Sequence, residues 1–340
     1  MMTMTVLATV VALAVAASLT WRFCQPVSRF HILDYPNERS LHARPIPRSG
    51  GVAVLAGIAA GGMVLYPAYP RLGLLLLAAL PVAVISFLDD RFGVNQGVRM
   101  AVHFLAAALL LGLGYLPTVI ELPGLVWTPP PVVAVPVTLV VVVWMINLYN
   151  FMDGMDGFAG GMAVIGFATF AILGWRDALF AGASLLVAGA SAGFLLFNVP
   201  PARIFLGDTG SSTLGFLAAA FSLWGARDGL FPLWLAILVF SPFIVDATIT
   251  LGWRLQRGEK IWLPHKTHYY QRLVQLGWGH RGTLLAEYGL MLACSLSALM
   301  AVRLAAIAQV GLLAVWLFVY ACLLAGVGRL ERRSANAEIS

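Results

Sequence analysis

Apolar runs of near-membrane length recur along the whole chain, and no soluble fold buries that many. VVAVPVTLVVVVWMI, residues 132–146, carries no charge, and as a helix it would cross most of the roughly 30 Å of bilayer hydrocarbon. Runs of this kind occupy about eleven intervals, roughly 4–21, 51–69, 72–88, 99–117, 131–149, 158–175, 178–196, 211–225, 231–251, 283–301 and 304–327. With 60% hydrophobic and 11% charged residues and a mean hydropathy of +0.88, the chain is expected to be an all-α, polytopic membrane bundle. A single domain over 1–340 is expected, since there is no internal repeat, low-complexity segment or Ser/Gly linker.

Charge sets the expected topology. All but four of the 21 Lys and Arg residues (Arg71, Arg176, Arg227 and Arg303) fall on one side if the N-terminus is outside, periplasmic in a bacterial inner membrane. The cytoplasmic loops are then roughly 22–50, 89–98, 150–157, 197–210 and 252–282. No basic residue precedes the first run and Arg22 follows it, the reverse of a secretory leader, so that run reads as a retained span. The net charge of +6 becomes a basic cytoplasmic face suited to anionic lipids and substrates, with nothing pointing to nucleic acid. Cys24, Cys294 and Cys322 are too scattered for a disulfide framework or a metal cluster.

The same topology gathers Asp89, Asp90, Asp153, Asp156, Asp208 and Asp246 at cytoplasmic span ends, and ionisable groups near hydrocarbon are costly and usually functional. In SFLDDRFGV, Asp89 and Asp90 repel unless a cation or proton lies between them. Mg²⁺ is one answer, and a solvated helix end paired to Arg91 is another. In NLYNFMDGMDG, each three-residue step along a helix turns about 300°, so Asn147, Asn150, Asp153 and Asp156 drift around the axis. The four converge only if the helix stops, and Gly154, Gly157, Gly160 and Gly161 offer the stop. In RIFLGDTGSSTLGF, helix N-terminal amides and the Ser211 and Ser212 hydroxyls suit phosphate. Asp208 either takes a phosphate-bound metal or caps its own span. The longest cytoplasmic segment, RLQRGEKIWLPHKTHYYQRLVQLGWGHRG, holds His265, His268, His280, Lys266, Arg272 and Arg281. It reads as a phosphate clamp or a membrane-surface helix, with no Cys or acid in register for zinc. His42 and Arg48, around Pro45 and Pro47, are either substrate contacts or ordinary loop-end basic residues. His31 and His103 read as packed residues.

Taken together and in this order, HARPIPRSGG, FLDD, NLYNFMDGMDGFAG, FLGDTGSSTLGF and HKTHYYQRLVQLGWGHRG resemble the polyprenyl-phosphate N-acetylhexosamine-1-phosphate transferases of glycosyltransferase family 4. The resemblance implies transfer of an N-acetylhexosamine 1-phosphate from a UDP-sugar to undecaprenyl phosphate, with release of UMP. The cofactor it implies is Mg²⁺, with Mn²⁺ as a substitute. It implies catalytic roles for Asp89, Asp90, Asp153, Asp156, His265 and His268, and metal binding by Asp208 and Asp90. It also implies substrate binding by His42, Arg48, Arg99, Asn147, Asn150, Gly154 and Arg272. Whether Asp89 is a base or a ligand stays open, as does which of Asp153 and Asp156, if either, meets metal. A run of consecutive histidines, typical of the muramoyl-pentapeptide branch, is absent, and an eleventh span is expected. Both favour the type that initiates O-antigen-like cell-surface polysaccharide in a bacterial inner membrane, alone or as a homodimer. The rival class, an ion-coupled transporter or lipid-linked-sugar flippase, would need carboxylates deeper in the spans.

Overall fold

The computed structural model describes residues 2–36, 41, 44–66, 70–260, 263 and 265–339. It is an all-helical bundle: α1 (Met2–Phe23), α2 (Gly50–Leu65), α3 (Pro70–Phe92), α4 (Gln96–Gly112), α5 (Pro131–Phe151), α6 (Phe158–Leu173), α7 (Ala178–Asn198) and α8 (Gly207–Arg227) come first. They are followed by α9 (Leu233–Val239), α10 (Ser241–Gln256), α11 (Tyr269–Leu273), α12 (Gly279–Ala301) and α13 (Ala306–Ile339). Two short antiparallel pairs, Leu33–Asp34 with Ile46–Pro47 and Ile120–Leu122 with Leu125–Trp127, are the strands among the described residues. Every expected apolar interval holds a helix, or at 231–251 a helix pair. By length and composition, six of these helical stretches can cross a membrane, or seven if α9 and α10 form one broken span. At 16 residues each, α2 and α6 reach only about 24 Å at 1.5 Å per residue.

Local chemistry sets many of the boundaries. Asn95 and Asp177 cap α4 and α7, their side chains accepting from Gly97 N at 2.8 Å and Phe180 N at 2.9 Å. Pro130 and Pro232 sit just before α5 and α9, where proline's missing N–H costs nothing. Pro242 falls right after the joint at Phe240, and α9 and α10 meet there at 78°, consistent with proline's inability to continue a helix ladder.

Helices in lipid gain little from the hydrophobic effect against one another, so small residues bring them into close contact. Ala8, Ala12 and Ala16 of α1 are fully buried against α2 and α7. A Cβ on Gly61 would lie 2.5 Å from the Ala8 carbonyl, and one on Gly193 2.4 Å from the Leu13 carbonyl. Away from the aspartate-rich ends, Phe170, Phe180, Phe221, Trp224 and Phe231 pack with centroid spacings between 5.1 and 6.3 Å, in the range favoured for aromatic pairs. The polar site is thereby confined to one end of a tightly packed bundle.

Gly193→Leu should lower the melting temperature of the detergent-purified protein, with overpacking costing about 1–3 kcal/mol. Gly311→Ala, with nothing within 4 Å of a new Cβ, should leave it unchanged. Equal melting of both variants in a thermal unfolding assay would contradict the close α1–α7 seam.

Candidate active site

The site is assembled from helix ends. At the end of α3, Asp89 and Asp90 sit where the helix dipole is negative, so each needs a compensating partner. They find different ones. Asp89 accepts from Val94 N at 2.6 Å and pairs with the Arg99 guanidinium. Asp90 is buried and caps α8: Oδ1 accepts from Asp208 N at 3.1 Å, and Oδ2 from Thr209 N at 2.9 Å and Thr209 Oγ1 at 2.6 Å. Gly207 opens this junction with φ +74°, and a Cβ there would lie 2.4 Å from the Arg48 carbonyl and 3.0 Å from Asp90 Oδ2. Arg48 donates to the Asp90 carbonyl and lies 3.9 Å from Asp34. It thereby buttresses the end of α3.

Two expectations for GDTGS change as a result. Of the α8 amides and the Ser211 and Ser212 hydroxyls that were to hold phosphate, the Asp208 and Thr209 amides are taken by Asp90 and the Ser211 hydroxyl by Asn150. Asp208 does not cap its own helix, because a carboxylate from α3 does so, and its side chain is free to face a cavity. There Asp208 Oδ2 accepts from Asn150 Nδ2 at 3.2 Å and lies 3.1 Å from Arg99 Nη2. Asn150 Oδ1 accepts from Ser211 Oγ at 2.7 Å, which fixes the orientation of its amide. The cavity, of about 400 Å³, is lined by Gln96, Arg99, Asn147, Asn150, Asp208, His265 and His268 among others. His265 and His268 lie with ring centroids 4.7 Å apart. Burial, followed by His268 and the nearby Arg254, lowers His265 to about 4, so it is neutral at physiological pH. Asn147 is largely turned back on its own helix, donating to the Val143 carbonyl at 2.7 Å, with His103 Nδ1 at 3.4 Å.

The expected helix break is present: α5 ends at Phe151, and Gly157 enters α6 with φ +76°. It divides the four polar residues. Asn150 joins Asp208, and Asp153 lies near enough for the Asp208 and Asp90 charges to act on it. Asp156 faces elsewhere, accepting from Ala202 N at 2.9 Å and lying 3.3 Å from His280 Nδ1. It lines a second cavity of about 960 Å³ with Arg44, Arg203, His280 and Arg281. Gly154 makes room for protein rather than ligand, since a Cβ there would meet Tyr270 Oη at 2.2 Å. Arg272 is drawn away to an ion pair with Glu331 and lies over the Tyr269 ring at 4.4 Å, lining neither cavity. His42 lies outside the described residues.

Other site residues were not assigned from sequence. Gln96 lines the first cavity. Asn198 bridges Gly157 N at 2.9 Å and the Ile204 carbonyl at 2.8 Å. Asp246 meets His268 at 3.0 Å. The polar spacing around Asp246 gave no local pattern, and its only signal was a carboxylate at the shared membrane depth.

No group of three or more His, Cys, Asp or Glu among the described residues is placed to hold a metal. Mg²⁺ does not require one, because it keeps several waters and binds through one or two carboxylates plus phosphate oxygens. The Asp208 carboxylate at the cavity wall is a hard oxygen donor that fits such an ion, which would have to displace or share the Arg99 guanidinium now paired with Asp89 and Asp208.

A profile of glycosyl transferase family 4 matches residues 72–226. The chain is 31% identical over 279 residues to a "Probable undecaprenyl-phosphate N-acetylglucosaminyl 1-phosphate transferase" of Bacillus subtilis, covering 78% of this chain and 76% of the relative. It is 32% identical over 296 residues to the "Decaprenyl-phosphate N-acetylglucosaminephosphotransferase" of Mycolicibacterium smegmatis, covering 76% and 73%. It is 33% identical over 243 residues to a "Phospho-N-acetylmuramoyl-pentapeptide-transferase" of Heliobacterium modesticaldum, covering 67% and 75%. The chain belongs to this family of multi-pass membrane transferases, the polyprenyl-phosphate N-acetylhexosamine-1-phosphate transferases.

Burial, reinforced by the Asp208 and Asp90 charges and partly offset by the Gly207 amide, pushes Asp153 well above the usual carboxylate range. The folded state therefore holds this proton to higher pH than the unfolded chain. That contribution to stability is complete below the ordinary carboxylate pKa and is lost as pH rises through the elevated value. Asp153→Asn removes the loss. Its melting temperature in detergent should exceed the wild type's by roughly 2–4 °C at pH 8, and the difference should close towards pH 4. A difference independent of pH would contradict this.

Proposed function

We propose that this family 4 member transfers N-acetylhexosamine 1-phosphate from a UDP-sugar to undecaprenyl phosphate and releases UMP. The lipid-linked sugar diphosphate it forms would initiate an O-antigen-like cell-surface polysaccharide at the cytoplasmic face of a bacterial inner membrane. The observation that supports this most is the first cavity, which sets a carboxylate, a guanidinium, an amide and two histidines at one end of an apolar bundle. A soluble, anionic donor and a lipid acceptor could meet there. The names of two of the relatives make N-acetylglucosamine the first donor sugar to test.

In this reaction an oxygen of the lipid phosphate attacks the donor's β-phosphorus, and UMP leaves. A phosphate monoester has a second pKa near about 6, so the nucleophile is already ionised at neutral pH and needs no strong base. Asp89, tied to Arg99 and Val94 N, is better suited to fixing Arg99 than to taking a proton. Arg99 would offset charge on the transferring phosphoryl group, and positioning with charge compensation is most of what phosphoryl transfer requires. Mg²⁺, or Mn²⁺ in its place, would bind at Asp208 and supply diphosphate charge neutralisation and Lewis-acid polarisation. His265, kept neutral, and His268 provide ring nitrogens towards the phosphates. The larger cavity, with Arg44, Arg203 and Arg281 around Asp156, suits the remainder of the nucleotide.

The test is UMP release by purified protein given undecaprenyl phosphate, Mg²⁺ and a panel of UDP-N-acetylhexosamines. Asp208→Asn and Arg99→Ala should each lower turnover by about 100-fold or more, and chelation should stop it. Mg²⁺ should also raise the melting temperature of the wild type but not of Asp208→Asn. Absence of UMP with every donor would refute the transferase reading, and turnover indifferent to chelator would refute the metal.

A further inference from the structure

Asp246, in α10 and buried, gathers four donors on one carboxylate. Oδ1 faces His268 Nδ1 at 3.0 Å and accepts from Tyr269 N and Thr250 Oγ1, each at 3.0 Å, while Oδ2 accepts from Tyr270 N at 3.1 Å. Both oxygens therefore act as acceptors, and Nδ1 is the ring nitrogen that carries hydrogen. The two amides open α11, so one side chain fixes both the helix and the histidine just before it. The His268 ring also lies against His265, Tyr270 and Phe151, with centroids at 4.7, 5.9 and 6.4 Å. Its Nε2 is buried without a partner, although the residue lines the cavity that holds Asp208, Asn150 and Arg99. A buried polar atom without a partner is costly, and a bound ligand can supply what the protein does not.

We propose that Asp246 is a positioning residue, which holds His268 by Nδ1 so that Nε2 hydrogen-bonds a phosphoryl oxygen of the substrate. The inference rests on the transferase reading above. In the complex Nδ1 faces the Asp246 carboxylate on one edge of the ring and Nε2 a phosphoryl oxygen on the other, so the ring donates to an oxygen acceptor on each side. Orienting a histidine through the partner of its second nitrogen is a general device. Here the carboxylate comes from another helix, 22 residues earlier in the chain.

The test combines a double-variant cycle with spectroscopy. Asp246→Asn and His268→Gln should each lower kcat for UMP release by about 100-fold, the scale seen when one preorganised donor is lost. KM for the UDP-sugar should stay within about three-fold, because the contact matters most in the transition state. The double variant should be no slower than His268→Gln alone, since groups that act as a unit do not lose activity multiplicatively. Asp246→Glu, which keeps the charge, should recover part of the rate and carries the comparison if Asp246→Asn melts early. ¹⁵N NMR of histidine-labelled protein, assigned with His268→Gln, should show hydrogen on His268 Nδ1 throughout the neutral pH range. Multiplicative losses, near-wild-type activity of Asp246→Asn, or a bare Nδ1 would overturn the inference. If the wild type releases no UMP, the transferase reading fails, and the Nδ1 signal alone decides whether Asp246 positions the ring.

Discussion

Most of the site depends on one hydrogen-bonded junction, the Asp90 carboxylate seated on the N-terminus of α8. A carboxylate at the end of α3 opposes that helix's own dipole, and free amides at the start of α8 need an acceptor, so joining the two satisfies both. Gly207 lets the backbones come close enough, and Arg48 ties in the loop before α2. The loop just before Gly207 is held in turn. Phe205 N donates to the Pro47 carbonyl at 2.7 Å, and the first amides of α2 donate to the Phe205 and Leu206 carbonyls at 2.9 and 2.7 Å. Three helix ends are therefore locked together by backbone and carboxylate contacts, and Asp208 projects from that frame into the cavity. An anion site at the tip of α8 would need the groups Asp90 already uses, so a phosphate of the proposed substrate would have to be met by side chains instead.

How much was legible in the sequence follows from the range of each signal. The apolar intervals are local and continuous, and each holds a helix, or at 231–251 a helix pair, at that place. The helix break at Asn150 to Gly157 was also legible, because helical arithmetic and glycine both act within a few residues. The destination of each side chain beyond the break was not, and Asp156 illustrates this. It shares a motif with Asp153, yet turns to Ala202 N and His280, which are distant in sequence. Asp89 and Asp90 looked like one paired unit, but adjacent residues near a helix terminus point in different directions and meet different neighbours. Asp246 stood alone in an apolar run, and only folding brings it to His268.

The segment after α5 does more than terminate a helix. By turning there, just after Asn150 meets Asp208, the chain keeps Asp153 within reach of the Asp208 and Asp90 charges and sends Asp156 to a larger, more basic cavity. The proposed nucleotide-sugar donor would use both environments, one rich in cations and one that can manage charge on the reacting phosphorus. Placing both on a single turn fixes their spacing to the backbone rather than to flexible side chains, and such positioning is a large part of catalysis.

Charge balance explains why so many carboxylates can share one end of the bundle. Asp90 is offset by helix amides, Asp89 by Arg99 and Val94 N, and Asp246 by four donors. Asp208 draws on Arg99 and on the Asn150 amide. Asp153 has less, and its proton affinity rises accordingly. The groups with complete partners are those that hold helices and loops in place, whereas the least compensated carboxylates, Asp153 and Asp208, belong to the segments that meet beside the first cavity. The carboxylates that hold the frame and those left able to meet a ligand are thus different members of one cluster, because a carboxylate already surrounded by donors has little left to offer a ligand.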